Sequence, residues 1–210
     1  MIRIDSTPDF LVKECLDFYN KRERKDLYDL GYQYYASAPQ TSELPLLYEY
    51  VKSIGYKFEE QVIYGNFFES SVGYNIHTDD STTTFLLPLY VPQGCHSYLF
   101  ILNQIYDGEP ASFRRHKTKH KPKYRKVFEE YDETILKNYN VDLWDDRFND
   151  MIPHISSETF EGMSVDTIFK WRIGKLLSFP SNRLHFSTTN LKDKHKIGLS
   201  FRLNLQDSYS

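Results

Sequence analysis

A mainly β fold with helices toward its N-terminal end (α+β) is what this sequence predicts, on three observations. The chain is rich in aromatic residues, with 17 Tyr and 15 Phe among 210, and these residue types favour strands. From Tyr56 onward, short aromatic and β-branched runs alternate with turn residues. The last such run, Lys196–Leu205, alternates cleanly. Ile197, Leu199, Phe201, Leu203 and Leu205 share one face, and Lys196, Gly198, Ser200, Arg202 and Asn204 share the other, as in a strand with one face in a core.

Residues 1–58 read as mostly helical. Thr7 or Asp9 is placed to cap a helix that opens near Pro8. Phe10, Leu11, Cys15, Phe18 and Tyr19 give that helix an apolar stripe through Asn20. Ser42 and the run 44–51 predict a second helix ending near Gly55. Both are expected to brace the outside of a sheet. Phe58, Val62, Tyr64, Phe67 and Phe68 open the strand-like part, followed by candidate strands at 73–79, 84–91 and 98–104. Residues 111–166 read as an insertion between core strands, and long ordered insertions often carry function. The insertion begins with a basic run at 114–126 (RRHKTKHKPKYRK), continues through a helical stretch at 128–139, and ends irregular and polar around Trp144, Phe148, Met151 and Phe160. Strands return at 167–172 and 174–180, with a turn at Ser181-Asn182-Arg183 and a further strand starting at His185.

The bulk properties narrow the function classes. A length of 210 residues fits one domain, 1–210, with a sizeable core. The net charge of −3 gives no whole-molecule case for nucleic acid. Cys15 and Cys95 form no CxxC motif and read as buried thiols of a reducing compartment. Met1-Ile2-Arg3-Ile4-Asp5 opens without a signal-peptide pattern. No apolar run approaches the ~20 residues of a membrane span. A cytoplasmic protein with no membrane partner is therefore expected.

The chemistry concentrates at Gly73-Tyr74-Asn75-Ile76-His77-Thr78-Asp79 and at the distant His185. In an extended chain, residues two apart point the same way, so His77 and Asp79 would aim an imidazole and a carboxylate at one point. Asp80 would face the opposite side. A third ligand from His185 completes two histidines and one carboxylate, the donor set that holds non-heme iron(II) while leaving positions open. His77, Asp79 and His185 are the candidate metal ligands and catalytic centre.

With these residues in view, the chain resembles the 2-oxoglutarate- and iron(II)-dependent dioxygenase superfamily. The resemblance rests on His77-Thr78-Asp79, on Trp171-x-x-Gly174 running through Phe179-Pro180 to His185, and on the basic residues Lys196 and Arg202 of the last strand. It covers about residues 56–205, less the insertion. The ending from His185 to Arg202 is similar to those of phytanoyl-CoA hydroxylases and DNA-repair demethylases, and collagen-type prolyl 4-hydroxylases use a lysine near the position of Lys196. The resemblance implies a double-stranded β-helix, a jelly-roll of cupin type. It implies iron(II) and 2-oxoglutarate as cofactors, with O2 as second cosubstrate and succinate as a product. It also implies that 2-oxoglutarate binds the metal through its 1-carboxylate and keto oxygen. Asp79 sets the chain apart from related halogenases, which lack the carboxylate ligand.

The far carboxylate of 2-oxoglutarate needs a cation and hydroxyl partners in a buried pocket. Arg202 and Lys196, with Ser200 between them, share a predicted face, and either is able to serve. Tyr64 and Asn66 precede the His-x-Asp pair at a distance where the family often places cosubstrate-binding residues. Tyr74 and Asn75 flank the site, and Thr82 and Thr84 either line the pocket mouth or simply reflect β-propensity. The substrate does not follow from the scaffold, though a small molecule or a peptidyl side chain is favoured over nucleic acid. Two rival readings remain. One is a non-catalytic jelly-roll module that holds a partner through the basic insertion at 114–126. The other is a cupin dioxygenase that keeps the metal and dispenses with 2-oxoglutarate. His96, His116, His120, His154 and His195 read as surface or packing residues.

Overall fold

The computed structural model describes residues 1–22, 25–26, 33–36, 39–71, 73–79, 82–106, 124–126, 163–190 and 194–205. The first part of the chain contains β1 (Arg3–Ser6), α1 (Asp9–Lys21), β2 (Lys25–Asp26), β3 (Gln33–Ala36) and α2 (Pro45–Ser53). The rest is strand: β4 (Phe58–Ser70), β5 (Tyr74–His77), β6 (Thr83–Tyr90), β7 (His96–Tyr106), β8 (Tyr124–Lys126), β9 (Val165–Lys170), β10 (Lys175–Pro180), β11 (Arg183–Asn190) and β12 (Lys196–Leu205).

Two antiparallel sheets result. The larger has the order β1-β10-β6-β12-β4-β3-β2; the smaller has the order β5-β11-β7-β8, with β9 also paired to β7. Strands 4, 6, 10 and 12 lie together in the first sheet, and strands 5, 7, 9 and 11 in the second. The chain therefore crosses between sheets at nearly every step, which is the winding of a double-stranded β-helix, a jelly-roll. The expected fold class holds.

Alternation along β12 separates two environments. Leu199, Phe201 and Leu203 enter a core with Val12, Cys15 and Tyr19 of α1 and Leu47, Tyr48 and Val51 of α2. Phe201 stacks on Phe85 at 4.9 Å between ring centroids. Both helices thus brace the outer face of the larger sheet, as expected, although Phe10 of the stripe read for α1 is exposed. The opposite face of β12 looks between the sheets. There Gly198 allows close approach of Trp171: a Cβ at this position would lie 2.6 Å from the indole ring. Trp171 is further held by its N–H bond to the Tyr90 carbonyl (3.2 Å).

Four expectations need correction. The N-terminal 58 residues are not mostly helical, since β1, β2 and β3 add to the edges of the larger sheet. In β1 the alternating exposure of Arg3, Ile4, Asp5 and Ser6 follows a period of two, too short a run to register against its helical neighbours. Pro8 occupies the N-cap of α1, without a side-chain cap bond, in place of Thr7 or Asp9. The strand expected at 73–79 ends at His77. Strand β9 begins at Val165, so the insertion closes two residues earlier than 166. Within the basic run only β8 is described, paired with Gln104, Ile105 and Tyr106; the predicted helix at 128–139 lies outside the described residues. Among the described residues no helix is long and apolar enough to cross a membrane.

The closeness of Trp171 gives a test of packing. Gly198→Ala should destabilise the fold by about 1–3 kcal/mol, the cost typical of an overpacked core. Denaturant unfolding would measure this, and Trp fluorescence should report a displaced indole.

Candidate metal centre

The site begins with an irregularity in β5. His77 pairs with His185 and Tyr74 with Ser187, so three residues of β5 span what two of β11 span. A bulge of this kind re-aims side chains. It puts Tyr74 and His77, three apart in sequence, in contact at 4.6 Å between ring centroids, while Ile76 points into the core behind the smaller sheet. The His77 and His185 rings then lie 4.0 Å apart.

Asp79 follows after the strand has ended. Its N–H donates to the Ser181 carbonyl (2.9 Å), and Ser181 N–H donates to the Thr82 carbonyl (3.2 Å). This tie to the β10–β11 turn, and not strand alternation, swings the carboxylate toward the histidines. Asp79 Oδ1 is 3.9 Å from His77 Nε2, and Oδ2 is 3.5 Å from His185 Nε2. The ligating atoms of all three residues lie within 4.8 Å of one another, the only such His/Cys/Asp/Glu trio among the described residues. A common point lies within roughly 3 Å of donors so spaced, and a contraction of under about 1 Å reaches the ~2.0–2.2 Å bonds of nitrogen and oxygen ligands.

The protonation states suit a metal. A backbone carbonyl only accepts, so the 2.9 Å contact between His185 Nδ1 and the Arg183 carbonyl puts the proton on Nδ1. The Nε2 lone pair is left facing Asp79, the arrangement by which a metal-binding histidine is commonly oriented. Burial pushes the His185 imidazole below its ordinary pKa, against the pull of Asp79, and keeps it neutral. Burial works against the Asp79 charge as well. The imidazoles of His185 and His77, the Arg202 guanidinium and the Thr84 hydroxyl outweigh that cost and hold the carboxyl below its usual range. Arg202 Nη2 donates to Oδ1 at 2.9 Å, and Thr84 Oγ1 donates to Oδ2 at 2.7 Å. Thr84 in turn contacts Ser181 Oγ at 2.8 Å.

A cavity of about 140 Å³ opens between the sheets, and His77, Asp79, His185, Arg202, Ser200, Asn66 and Lys196 all border it. Lys196 is 2% exposed. Its Nζ donates to Ser97 Oγ (2.7 Å) and sits 4.5 Å above the Trp171 ring. Burial lowers the Lys196 pKa to about 7. Arg202 is engaged with Asp79 and lies six residues along β12 from Lys196, on the same face of the strand.

No model of a known protein family matches the sequence, and neither does any curated protein. Among solved structures, the chain is similar to the crystal structure of HygX from Streptomyces hygroscopicus with nickel and 2-oxoglutarate bound, at 12% identity and a TM-score of 0.48, over 95% of this chain and 81% of that one.

Of the sequence candidates, the structure brings His77, Asp79 and His185 together and puts Arg202, Lys196, Asn66 and Ser200 around the same cavity. Tyr64 pairs with Arg202 through the β4 backbone, but its side chain, like that of Asn75, lies outside the described residues. Thr82 turns away to the Leu203 carbonyl (2.9 Å). Sequence reasoning gave Thr84 no more than a place at the mouth, and it missed Ser97, Trp171 and Ser181 as parts of the site. The one available signal was the parity of Thr84 with Leu86, whose common face is the cavity face of β6.

Thr84→Val keeps the shape and removes the donor to Asp79. It should weaken binding of Co(II), titrated as a spectroscopic probe, by roughly 10- to 100-fold, and Thr84→Ser should restore most of that affinity.

Proposed function

We propose that this protein is an iron(II)- and 2-oxoglutarate-dependent dioxygenase, built as a single domain, that hydroxylates a small molecule or a peptidyl side chain. One observation carries the reading. Two imidazoles and a carboxylate converge on a cavity that also holds Lys196, a buried cation-forming group for which no carboxylate partner occurs among the described residues. A metal chelated at one end and a carboxylate received at the other is what such a cavity accommodates.

His77, Asp79 and His185 would hold the iron. The donor set fits, being two neutral nitrogens and one anionic oxygen, with the cavity on the open side. Bound there, iron(II) supplies the coupled oxidation in which O2 and 2-oxoglutarate are converted to succinate and carbon dioxide as a substrate C–H becomes C–OH. The chain's own residues do the rest. Lys196 Nζ receives the far carboxylate of 2-oxoglutarate. Arg202 and Thr84 hold the Asp79 carboxylate in one rotation by taking one oxygen each. Arg202 is thereby a positioning residue and not the distal anchor. Asn66 and Ser200 border the length between the two ends and offer polar contacts to the cosubstrate. The substrate would present one C–H group from the mouth, where His77 keeps 18% side-chain exposure.

Purified protein loaded with Fe(II) without oxygen should develop a weak visible charge-transfer band on adding 2-oxoglutarate, and should release succinate once air is admitted. His77→Ala should lose both. Loaded protein that gives neither band nor succinate would overturn the reading and favour a binding module that needs no iron.

The two basic residues should separate cleanly. Lys196→Met should weaken 2-oxoglutarate binding by at least about 100-fold, in line with loss of a buried charge partner, and leave Fe(II) affinity within about threefold. Arg202→Met should weaken Fe(II) first. Equilibrium titrations of each ligand on each variant check this.

A further inference from the structure

We propose that Lys196 is held as the uncharged amine in the free protein above neutral pH and there takes up one proton as a carboxylate enters its end of the cavity, so that anion binding and protonation of Nζ are a single event. The identity of the anion rests on the 2-oxoglutarate reading above; the charge state of the free lysine does not.

The geometry leaves the ammonium form little support. Lys196 is 2% exposed, so bulk water solvates it poorly. The partners of Nζ are the Ser97 hydroxyl and the Trp171 ring face. Ser97 Oγ donates onward to the Thr188 carbonyl (2.8 Å), so it offers Nζ only an oxygen lone pair. That suffices for one N–H of an amine and falls short of the three donors of an ammonium.

The charged and titratable groups that border the cavity are Tyr74 and His77 from β5, Asp79 beyond it, His185 from β11 and Arg202 from β12. Asp79 is the only carboxylate among them, and Arg202 and Thr84 hold both its oxygens. On the opposite face, His195, next in sequence, is turned to Glu69 from β4 (2.9 Å). Lys170 and Arg172, on either side of Trp171, are exposed. Nothing described brings Lys196 a negative charge. A buried amine so placed sheds its proton, in line with a pKa near 7.

An arriving carboxylate reverses the balance. The amine gains a proton from solvent, and a charge-assisted bond forms in a dry site, where it is strong. The step balances as amine plus proton plus carboxylate giving an ammonium–carboxylate pair, and the proton returns to solvent when the anion leaves. An arginine here would stay charged throughout. The choice of lysine therefore makes anion affinity depend on pH in the neutral range, falling by about tenfold per pH unit above neutrality.

Two measurements test this. Calorimetric titration of 2-oxoglutarate into the Fe(II)-loaded protein without oxygen, in buffers of differing ionisation enthalpy, should show about one proton taken up per ligand at pH 8.5 and close to none at pH 5.5. Lys196→Arg should bind 2-oxoglutarate with no uptake at either pH. Wild-type binding at pH 8.5 without uptake, or uptake that persists in Lys196→Arg, overturns the proposal. Separately, ¹³Cε-lysine NMR of the ligand-free protein, assigned with Lys196→Met, should show one lysine titrating near neutrality. A midpoint near the ordinary ~10.4 overturns the proposal whatever binds. If Lys196 titrates near neutrality and 2-oxoglutarate does not bind, the charge state stands and the cosubstrate reading fails.

Discussion

An ionised carboxylate withdrawn from water needs a donor at each oxygen, and the way Asp79 obtains them ties the two sheets together. Arg202 comes from β12, Thr84 from β6, and the backbone tie from the turn between β10 and β11. The first two strands are neighbours in the larger sheet, while His77 and His185 stand on neighbouring strands of the smaller one. The carboxylate is therefore the point where both sheets contribute polar atoms to one place. Breaking such a buried pair leaves an uncompensated charge, which typically costs about 3–5 kcal/mol, so the site and the fold constrain each other.

Strand β12 divides the remaining work. Leu199, Phe201 and Leu203 bind the helices to the larger sheet, and Lys196, Ser200 and Arg202 border the cavity with two cation-forming groups at opposite ends. Gly198, midway, has no side chain because Trp171 occupies the space where one would be. The indole then forms the wall beneath Lys196 Nζ. One strand, read with a period of two, thus places hydrophobic core, the Asp79 clamp and the buried amine in fixed relation.

Much of this was legible from sequence because a strict period of two needs no tertiary information. The faces of β12 and the bracing role of α1 and α2 followed from alternation and helical spacing alone. The convergence of His77 with Asp79 was foreseen for the wrong reason. The chain stops being a strand at His77, and the aspartate is steered by a bond to Ser181, about a hundred residues away. Such a bond has no local signature. Neither has the bulge that turns Tyr74 to the same side as His77, since one extra residue in a strand is visible only against its partner. Thr84 reads as ordinary β-propensity until Asp79 is seen beside it. Lys196 and Arg202 were indistinguishable as charges on one face. Their difference comes entirely from what each one meets, a carboxylate in one case and a hydroxyl and an arene in the other.

That difference gives the cavity a direction. At the Asp79 end every charge is answered: the carboxylate has its guanidinium and hydroxyl, and burial keeps His185 a neutral donor of a lone pair. At the Lys196 end the basic group has no counter-charge among the described residues, only a hydroxyl already committed to a backbone carbonyl. A ligand with identical ends would gain little from either orientation. One with a chelating end and a simple carboxylate end gains most when the chelate lies against the histidines and the carboxylate reaches the amine. The reverse still leaves a carboxylate at each end and forfeits only the keto oxygen that completes the chelate. Orientation is thus set by what each end of the cavity offers, two imidazoles and a carboxylate at one and a basic group without a described counter-charge at the other, so that the two ends of a ligand meet two different chemistries.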